Sequence, residues 1–344
     1  MKSIVSVIGT RPQYIKAVPV SLAIAAHPDL TEFVIDTGQH FDFEMSGIFM
    51  RELGLRPPDV NLSVNSLSHA RMTAAMLPLI EDLLLERRPD MVLIYGDTNS
   101  SLAGALAAAK LDIPIAHVEG GLRTAIWNPE EINRRVADTL SDLIFCPTRA
   151  SYEQCLREDL ADEARFVGDV MRDTLRLAKA IPPQGQDVLD RLGVEPGAYV
   201  VATIHRPENT NDPEKLIRIL DFVREQAAGA PIVFPTHPRV AGQIESAAID
   251  MSGFLTTKPQ GYLDMARLAG NAREIFTDSG GLQKEAYFHG VPATVIYDDT
   301  PWPVLREAGR LRLWTDPGFA PEGPVDDFGD GHAAEQIART LAEG

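Results

Sequence analysis

Acids and imidazoles recur just after short apolar runs, where a parallel sheet would end its strands. Asp97 stands in Tyr95-Gly96-Asp97-Thr98, directly after Met91–Tyr95. Glu119 stands in His117-Val118-Glu119-Gly120-Gly121, after Ile113–Val118. A third acidic site is Asn128-Pro129-Glu130-Glu131-Ile132-Asn133-Arg134. There Asn128 reads as an N-cap, Pro129 as the first helical residue and Glu131 as the partner in a capping box, which leaves Glu130 for chemistry. Carboxylates grouped in this way can move protons as general acid and base. His205, in Thr203-Ile204-His205-Arg206-Pro207-Glu208-Asn209, and His237, in Pro235-Thr236-His237-Pro238-Arg239, follow two further runs. An Arg comes soon after each, a combination that favours an anionic ligand. Neither has the spacing of a zinc motif such as His-Glu-x-x-His, so no metal is expected.

Two turns complete the set. Gly9-Thr10-Arg11-Pro12 follows Ile4–Ile8 and opens a helix that reads to about Ala26. Thr10 can cap that helix and Pro12 suits its first turn. The free amides and the helix dipole there favour an anion, Arg11 adds a full charge, and Lys16 lies one turn further on. The dinucleotide fingerprint G-x-G-x-x-G is absent. Asp278-Ser279-Gly280-Gly281 follows Glu274–Thr277 and opens a helix over Leu282–Phe288. The two glycines, Gly280 and Gly281, let the backbone approach a phosphate closely, and the helix N-terminus faces it. Glu285, about one turn in, could accept hydrogen bonds from a ribose diol. One such turn in each half of the chain points to a phosphorylated ligand.

The elements that must carry these residues form two series. Ile4–Ile8, Glu32–Asp36, Met91–Tyr95, Ile113–Val118, Leu143–Cys146 and Arg165–Val167 read as strands buried on both faces, with helical patterns between them. Tyr199–Thr203, Ile232–Phe234, Phe254–Thr256, Glu274–Thr277 and Ala293–Tyr297 repeat the alternation. The seam lies near Gly168-Asp169-Val170. The reading is α/β: two Rossmann-like, doubly wound parallel-sheet domains, 1–167 and 168–327, facing across a cleft, with a tail, 328–344, whose helix His332–Leu341 packs back on the first domain.

Length and charge agree. A chain of 344 residues suits about two domains. With 32 Lys plus Arg against 49 Asp plus Glu, the formal charge of −17 argues against a nucleic-acid binder and against a binder of anionic membranes. No apolar stretch is long enough for a transmembrane helix and no signal peptide is legible, so the cytoplasm is the expected compartment. The two cysteines, Cys146 and Cys155, read as reduced buried thiols.

The motifs together resemble the UDP-N-acetylglucosamine 2-epimerase family. They are Gly9-Thr10-Arg11-Pro12, Lys16, Thr37-Gly38-Gln39-His40, Gly96-Asp97-Thr98, His117-Val118-Glu119, Pro129-Glu130-Glu131-Ile132-Asn133-Arg134, His205-Arg206-Pro207-Glu208-Asn209 and Asp278-Ser279-Gly280-Gly281-Leu282-Gln283. They run in order from about residue 4 to residue 303. The resemblance implies the GT-B fold and inversion at C2 of a UDP-linked 2-acetamido sugar, with neither metal nor nicotinamide cofactor. It places Arg11, Ser279, Gly280, Gly281 and Glu285 on the UDP, Met265 at the uracil and Arg134 near the diphosphate. Asp97, Glu119, Glu130 and His205 match the catalytic group. Lys16 and His237 join the expected substrate contacts, and a homodimer is expected.

Within that resemblance the outcome can differ. Re-addition of UDP gives a non-hydrolysing epimerase, and addition of water gives a hydrolysing one that releases sugar and UDP. A glycosyltransferase using the same fold is the rival of another class. Two stretches depart from the family pattern: Thr124-Ala125-Ile126-Trp127-Asn128, one residue shorter and without its Arg, and Tyr297-Asp298-Asp299-Thr300-Pro301-Trp302, without an Arg and a Glu. The stretch Ser68–Thr73, with Gly261-Tyr262-Leu263, looks more like the branch acting on UDP-2,3-diacetamido-2,3-dideoxyglucuronate. A carboxylated sugar would need a further cation, for which Arg123, Arg206 and Arg239 are candidates.

Overall fold

The computed structural model describes residues 1–39, 52–54, 56–124, 127–183, 185–321, 323 and 325–343. The chain divides into two compact units, Met1–Leu177 together with Asp326–Gly344, and Ala178–Val325.

The first unit is built on β1 (Lys2–Ile8), β2 (Leu30–Asp36), β3 (Val60–Asn61), β4 (Met91–Tyr95), β5 (Ile115–Val118), β6 (Leu143–Cys146) and β7 (Ala164–Phe166). They pair in parallel in the order β3-β2-β1-β4-β5-β6-β7. The central runs are mostly apolar, as in Met91-Val92-Leu93-Ile94-Tyr95, because helices cover both faces of a parallel sheet. Val7, Val92 and Ile94 share a core with Met76, Ile80 and Leu84. Those last three lie on the helix His69–Arg87, spaced one helical turn apart so that they share a face. The strand order reverses between β1 and β4. At such a switch point the crossovers leave in opposite directions and open a crevice beyond the carboxyl ends of the strands.

The second unit repeats the plan. Strands β8 (Val200–Thr203), β9 (Ile232–Pro235), β10 (Phe254–Thr257), β11 (Glu274–Thr277), β12 (Ala293–Val295) and β13 (Leu311–Leu313) pair in the order β10-β9-β8-β11-β12-β13, again all parallel. The helix Pro213–Ala227 starts on Asp212, whose side chain accepts from Glu214 N at 3.0 Å. It turns Leu216, Ile219, Leu220 and Val223 onto Val200, Ala202, Phe234 and Phe276. Here the order reverses between β8 and β11. Their last residues, Thr203 and Thr277, are in register, so the segments that follow leave the sheet side by side.

The dividing point falls at Leu177, not at 167/168 as the sequence suggested. The helix Val170–Ala180 explains the difference. Its Thr174 Oγ1 donates to Ile15 O at 2.7 Å, and Asp173 accepts the amides of Ala333 and Ala334 at 3.3 and 2.9 Å. That carboxylate caps the tail helix Ala333–Glu343. The return segment is held as well, since Arg149 N donates to Asp327 Oδ1 at 3.0 Å. Strands β3 and β13 were not expected. One has two residues and the other reads Leu-Arg-Leu, too short for a hydrophobic pattern. Among the described residues no helix is long and apolar enough to cross a membrane, and no group of three His, Cys, Asp or Glu could hold a metal ion. Cys146 and Cys155 are buried and unbridged, their Sγ atoms 3.7 Å apart.

Candidate active site

In the first unit the turn after β1 is closed on itself. Gly9 has no room for a side chain, because a Cβ there would stand 1.9 Å from Thr37 Oγ1. Gln13 fills the turn. Its Oε1 accepts from the amides of Gly9 and Thr10 at 2.9 and 3.1 Å, and its Nε2 donates to Tyr95 O at 2.8 Å and Ser101 Oγ at 3.0 Å. Two donors that the sequence offered to an anion are therefore spent inside the protein. Arg11 stands at the start of the helix Arg11–Ala26 and remains this turn's positive charge.

The acids gather beside it. Gly96, after β4, has a φ of +60° that a side chain would resist. A Cβ there would face Lys16 Nζ at 3.2 Å and Glu119 Oε2 at 3.4 Å. Lys16 and Glu119 form an ion pair, nearly buried on both sides. Asp97, the next residue, is ion-paired to Arg134 Nη2. Arg134 Nη1 reaches Glu131 Oε2 at 2.6 Å, and Asn133 Nδ2 donates to Asp97 O at 3.0 Å. The structure thus brings Lys16, Asp97, Glu119 and Arg134 together around Gly96-Asp97.

The helix Pro129–Leu140 supplies Arg134 and settles the two glutamates. Glu131 is fully buried. Its amide is capped by Asn128 Oδ1 at 2.8 Å, as the sequence suggested, but its carboxylate does not return to the cap. Instead it holds Arg134, Arg135 Nε at 2.7 Å and Thr124 N at 3.1 Å. Glu130 is exposed, and its carboxylate has no hydrogen bond or ion pair among the described residues. Arg123 is removed from the candidates for a sugar carboxylate. It is paired to Asp138 at 2.6 Å and Glu158 at 2.5 Å. Burial opposes its charge, but these two carboxylates outweigh burial and raise its pKa.

The second unit is arranged around a residue the sequence reading passed over. Asp278, fully buried after β11, faces His205 Nδ1 at 2.7 Å. It also accepts the amides of His205 and Arg206 at 3.0 and 2.9 Å and Asn209 Nδ2 at 3.0 Å. Burial pushes its carboxyl up, but His205 and those amides outweigh burial and hold it below its ordinary value. A carboxylate on Nδ1 fixes the Nδ1–H tautomer, so Nε2 is the ring nitrogen left for chemistry. Arg206 Nε donates to Asp278 O at 2.8 Å and its guanidinium lies over the Tyr297 ring. The clue was present in the sequence: an acid at a strand end, in register with the strand that delivers His205.

The remaining expected residues of this unit lie on its helices or cap them. Ser279 caps the helix Gly280–His289, its Oγ 3.4 Å from Leu282 N. The amides of Gly280 and Gly281 have no acceptor among the described residues. Trp302 Nε1 donates to Gly280 O at 2.7 Å. His237 caps the helix Pro238–Ser246 by accepting from Arg239 N at 3.2 Å, and Arg239 Nη2 donates to His205 O at 2.5 Å. Glu285 is buried in the helix Gly280–His289, and Met265 is half-buried on the helix Tyr262–Gly270. His40, and Ala125 and Ile126 of the shortened stretch, lie outside the described residues.

The profile of the family described as UDP-N-acetylglucosamine 2-epimerase matches residues 22–318. The chain belongs to that family. The UDP-2,3-diacetamido-2,3-dideoxy-D-glucuronate 2-epimerase of Pseudomonas aeruginosa is 41% identical, covering 99% of this chain and 99% of that one. A UDP-N-acetylglucosamine 2-epimerase homolog of Methanococcus maripaludis is 44% identical over 87% of this chain and 85% of its own. Among solved structures, the Methanocaldococcus jannaschii UDP-GlcNAc 2-epimerase in complex with UDP-GlcNAc and UDP superposes with a TM-score of 0.84 at 32% identity, covering 100% of both chains. As a member of the 2-epimerase family the chain has the α/β GT-B fold, with one Rossmann-like sheet in each unit, and is an isomerase, a UDP-sugar 2-epimerase.

Proposed function

We propose that this 2-epimerase works without hydrolysis on a UDP-2,3-diacetamido uronate, inverting C2 by eliminating and re-adding UDP. The C2 proton of a sugar is not acidic by itself. As the C1–O bond to UDP breaks, positive charge grows at C1 and the neighbouring C2–H becomes easier to remove. The electron pair of that C–H bond becomes the C1–C2 double bond, and UDP leaves with the electrons of the C1–O bond. Re-addition delivers a proton to the opposite face of C2 and restores the C1–O bond. The reaction therefore needs two proton-handling groups and a stable seat for a diphosphate.

Each unit supplies one of these needs. In the first, Asp97 and Glu119 are the proton-handling pair, and Arg134 and Lys16 orient them. Glu130, exposed at the start of its helix, is the reserve acid. In the second, the Gly280 and Gly281 amides and Asp278-oriented His205 receive the departing diphosphate, with Ser279, His237, Met265 and Glu285 completing the nucleotide contacts. The observation that carries this reading is the pairing of each acid with its own cation at the switch point of the first sheet.

The choice of sugar is supported by the 41% identity to the diacetamido uronate enzyme along 99% of both chains. With Arg123 committed elsewhere, Arg206 and Arg239 beside His205 are the cations for the uronate carboxylate. A homodimer in the cytoplasm belongs to the same reading. The test is to offer both sugars separately and follow products by NMR. The reading expects the 2-epimer with UDP attached, and kcat/KM at least about tenfold higher for the uronate. Preference for UDP-N-acetylglucosamine would overturn the substrate, and free sugar plus UDP would overturn the mechanism.

A further inference from the structure

The two acids of the first unit share one buried support. Asp138 lies on the helix Pro129–Leu140 and is fully buried. Its Oδ1 is 2.7 Å from His117 Nδ1, and its Oδ2 accepts Gly121 N at 3.1 Å and Arg123 Nη1 at 2.6 Å. His117 stands two residues before Glu119 and Gly121 two residues after it. One carboxylate therefore grips both ends of the segment that carries Glu119. That segment needs holding, because Glu119 has a φ of +67°, a left-handed conformation that L side chains avoid.

The same support reaches Asp97. The other ring nitrogen of His117, Nε2, is 2.8 Å from Gly96 O, in the peptide that leads into Asp97. A carbonyl only accepts, so Nε2 carries a proton. Nδ1 faces a carboxylate, which accepts as well. His117 therefore bridges Asp138 and Gly96 through its two ring nitrogens. There is no slack around it: a Cβ added at Gly120 would stand 2.6 Å from Asp138 Oδ1 and 3.1 Å from His117 Nδ1.

From this geometry, and on the reading that Asp97 and Glu119 handle the C2 proton, we infer that Asp138 and His117 are positioning residues that fix the two acids relative to each other. Neither is placed on the substrate. Their effect is on the distance between two groups that must act in turn on one carbon, where a displacement of about 1 Å costs on the order of a hundredfold in rate. Burial favours the neutral form of Asp138, but His117 and Arg123 outweigh it and hold its pKa below the ordinary value, so the support is ionic.

The test is Asp138→Asn, which keeps the shape and replaces one acceptor by a donor. It should lower kcat about 10- to 100-fold, with KM for the UDP-sugar and the Kd for UDP within about threefold of the parent. A double-mutant cycle with Glu119→Gln gives the sharper readout. If Asp138 acts through the acids, the double variant loses little beyond Glu119→Gln alone. Fully multiplicative losses, or an unchanged kcat in Asp138→Asn, would overturn the inference. Should Asp138→Asn fail to fold, Arg123→Gln removes only the outer partner; it should lower kcat several-fold at unchanged KM, and an unchanged kcat would again overturn it. A Glu119→Gln variant that turns over at close to the parent rate would instead sink the functional reading on which this rests.

Discussion

The turns after β1 and β11 look alike in sequence and behave differently in the structure. Each has glycine, a hydroxyl cap and a helix start. In the first, Gln13 consumes the amides of Gly9 and Thr10 and ties them to Tyr95 O. In the second, the amides of Gly280 and Gly281 are open among the described residues, and the stabilising carboxylate, Asp278, binds His205 and its neighbours instead. Equivalent turns in two Rossmann-like units have thus been put to different uses. One is a rigid floor under paired acids and cations, and the other keeps its amides open, as the proposed anion seat requires. The lesson concerns donors: a helix start binds an anion only if its amides are not already satisfied from within.

Substitutions can break this contrast, and the largest effect belongs to the acids. Glu119→Gln should cut turnover by about a thousandfold while UDP affinity stays within a few-fold, measured by kcat and by calorimetric titration. Equal losses would make Glu119 a wall of the pocket rather than a reacting group. Asp278→Asn should come next. It frees the His205 ring and removes the carboxylate that receives two amides, so kcat should fall about 10- to 100-fold. Because Asp278 is held below its ordinary pKa in the fold, the stability it contributes is present above the unfolded carboxylate value and lost as pH falls through the folded one. The parent should therefore lose more stability than the Asn variant between about pH 5 and 3.

Gln13→Leu sharpens the comparison from the other side. It strands the Gly9 and Thr10 amides, while Tyr95 O keeps Ser101 Oγ, at a cost of about 3 kcal/mol read from the denaturant midpoint. Its effect on UDP affinity should be the smaller one; a loss of affinity with intact stability would show that the first turn also binds the anion. The smallest effect concerns the tail. Burial raises the Asp173 carboxyl to about 6, against the amides of Ala334 and Ala333 that favour its charge. A folded value above the unfolded one means its stabilising contribution is complete below about pH 4 and lost as pH rises through about 6. Lowering the pH from 7 to 5 should therefore raise the unfolding free energy of the parent relative to Asp173→Asn, by on the order of 2 kcal/mol at most, read from denaturant titrations.

The strands that carry the site were legible because double-sided burial leaves apolar runs, unbroken in Met91–Tyr95 and reduced to Ile275-Phe276 within Glu274–Thr277. Strand ends then pointed to Asp97, Glu119 and His205. The supports were not legible. Asp138 sits in the last turn of one helix and Gln13 in the first turn of another, and nothing local marks a side chain whose partners lie elsewhere in the chain, as Tyr95 does 82 residues from Gln13. Arg123 looked like a surface cation until its two carboxylates appeared. The seam was placed where the strand pattern restarts, but the helix Val170–Ala180 carries buried Met171 and Leu175 and stays mostly with the first unit.

The central claim is that paired carboxylates of the first unit exchange the proton at C2 while UDP leaves and returns. It is tested most directly by incubating the protein with the UDP-sugar in deuterated water and following C2 by NMR. Deuterium should appear at C2 of both epimers with UDP still attached, and its rate of appearance should fall about a thousandfold in Glu119→Gln. Epimerisation that retains the original hydrogen at C2, or exchange that persists at close to the parent rate in Glu119→Gln and Asp97→Asn alike, would contradict it.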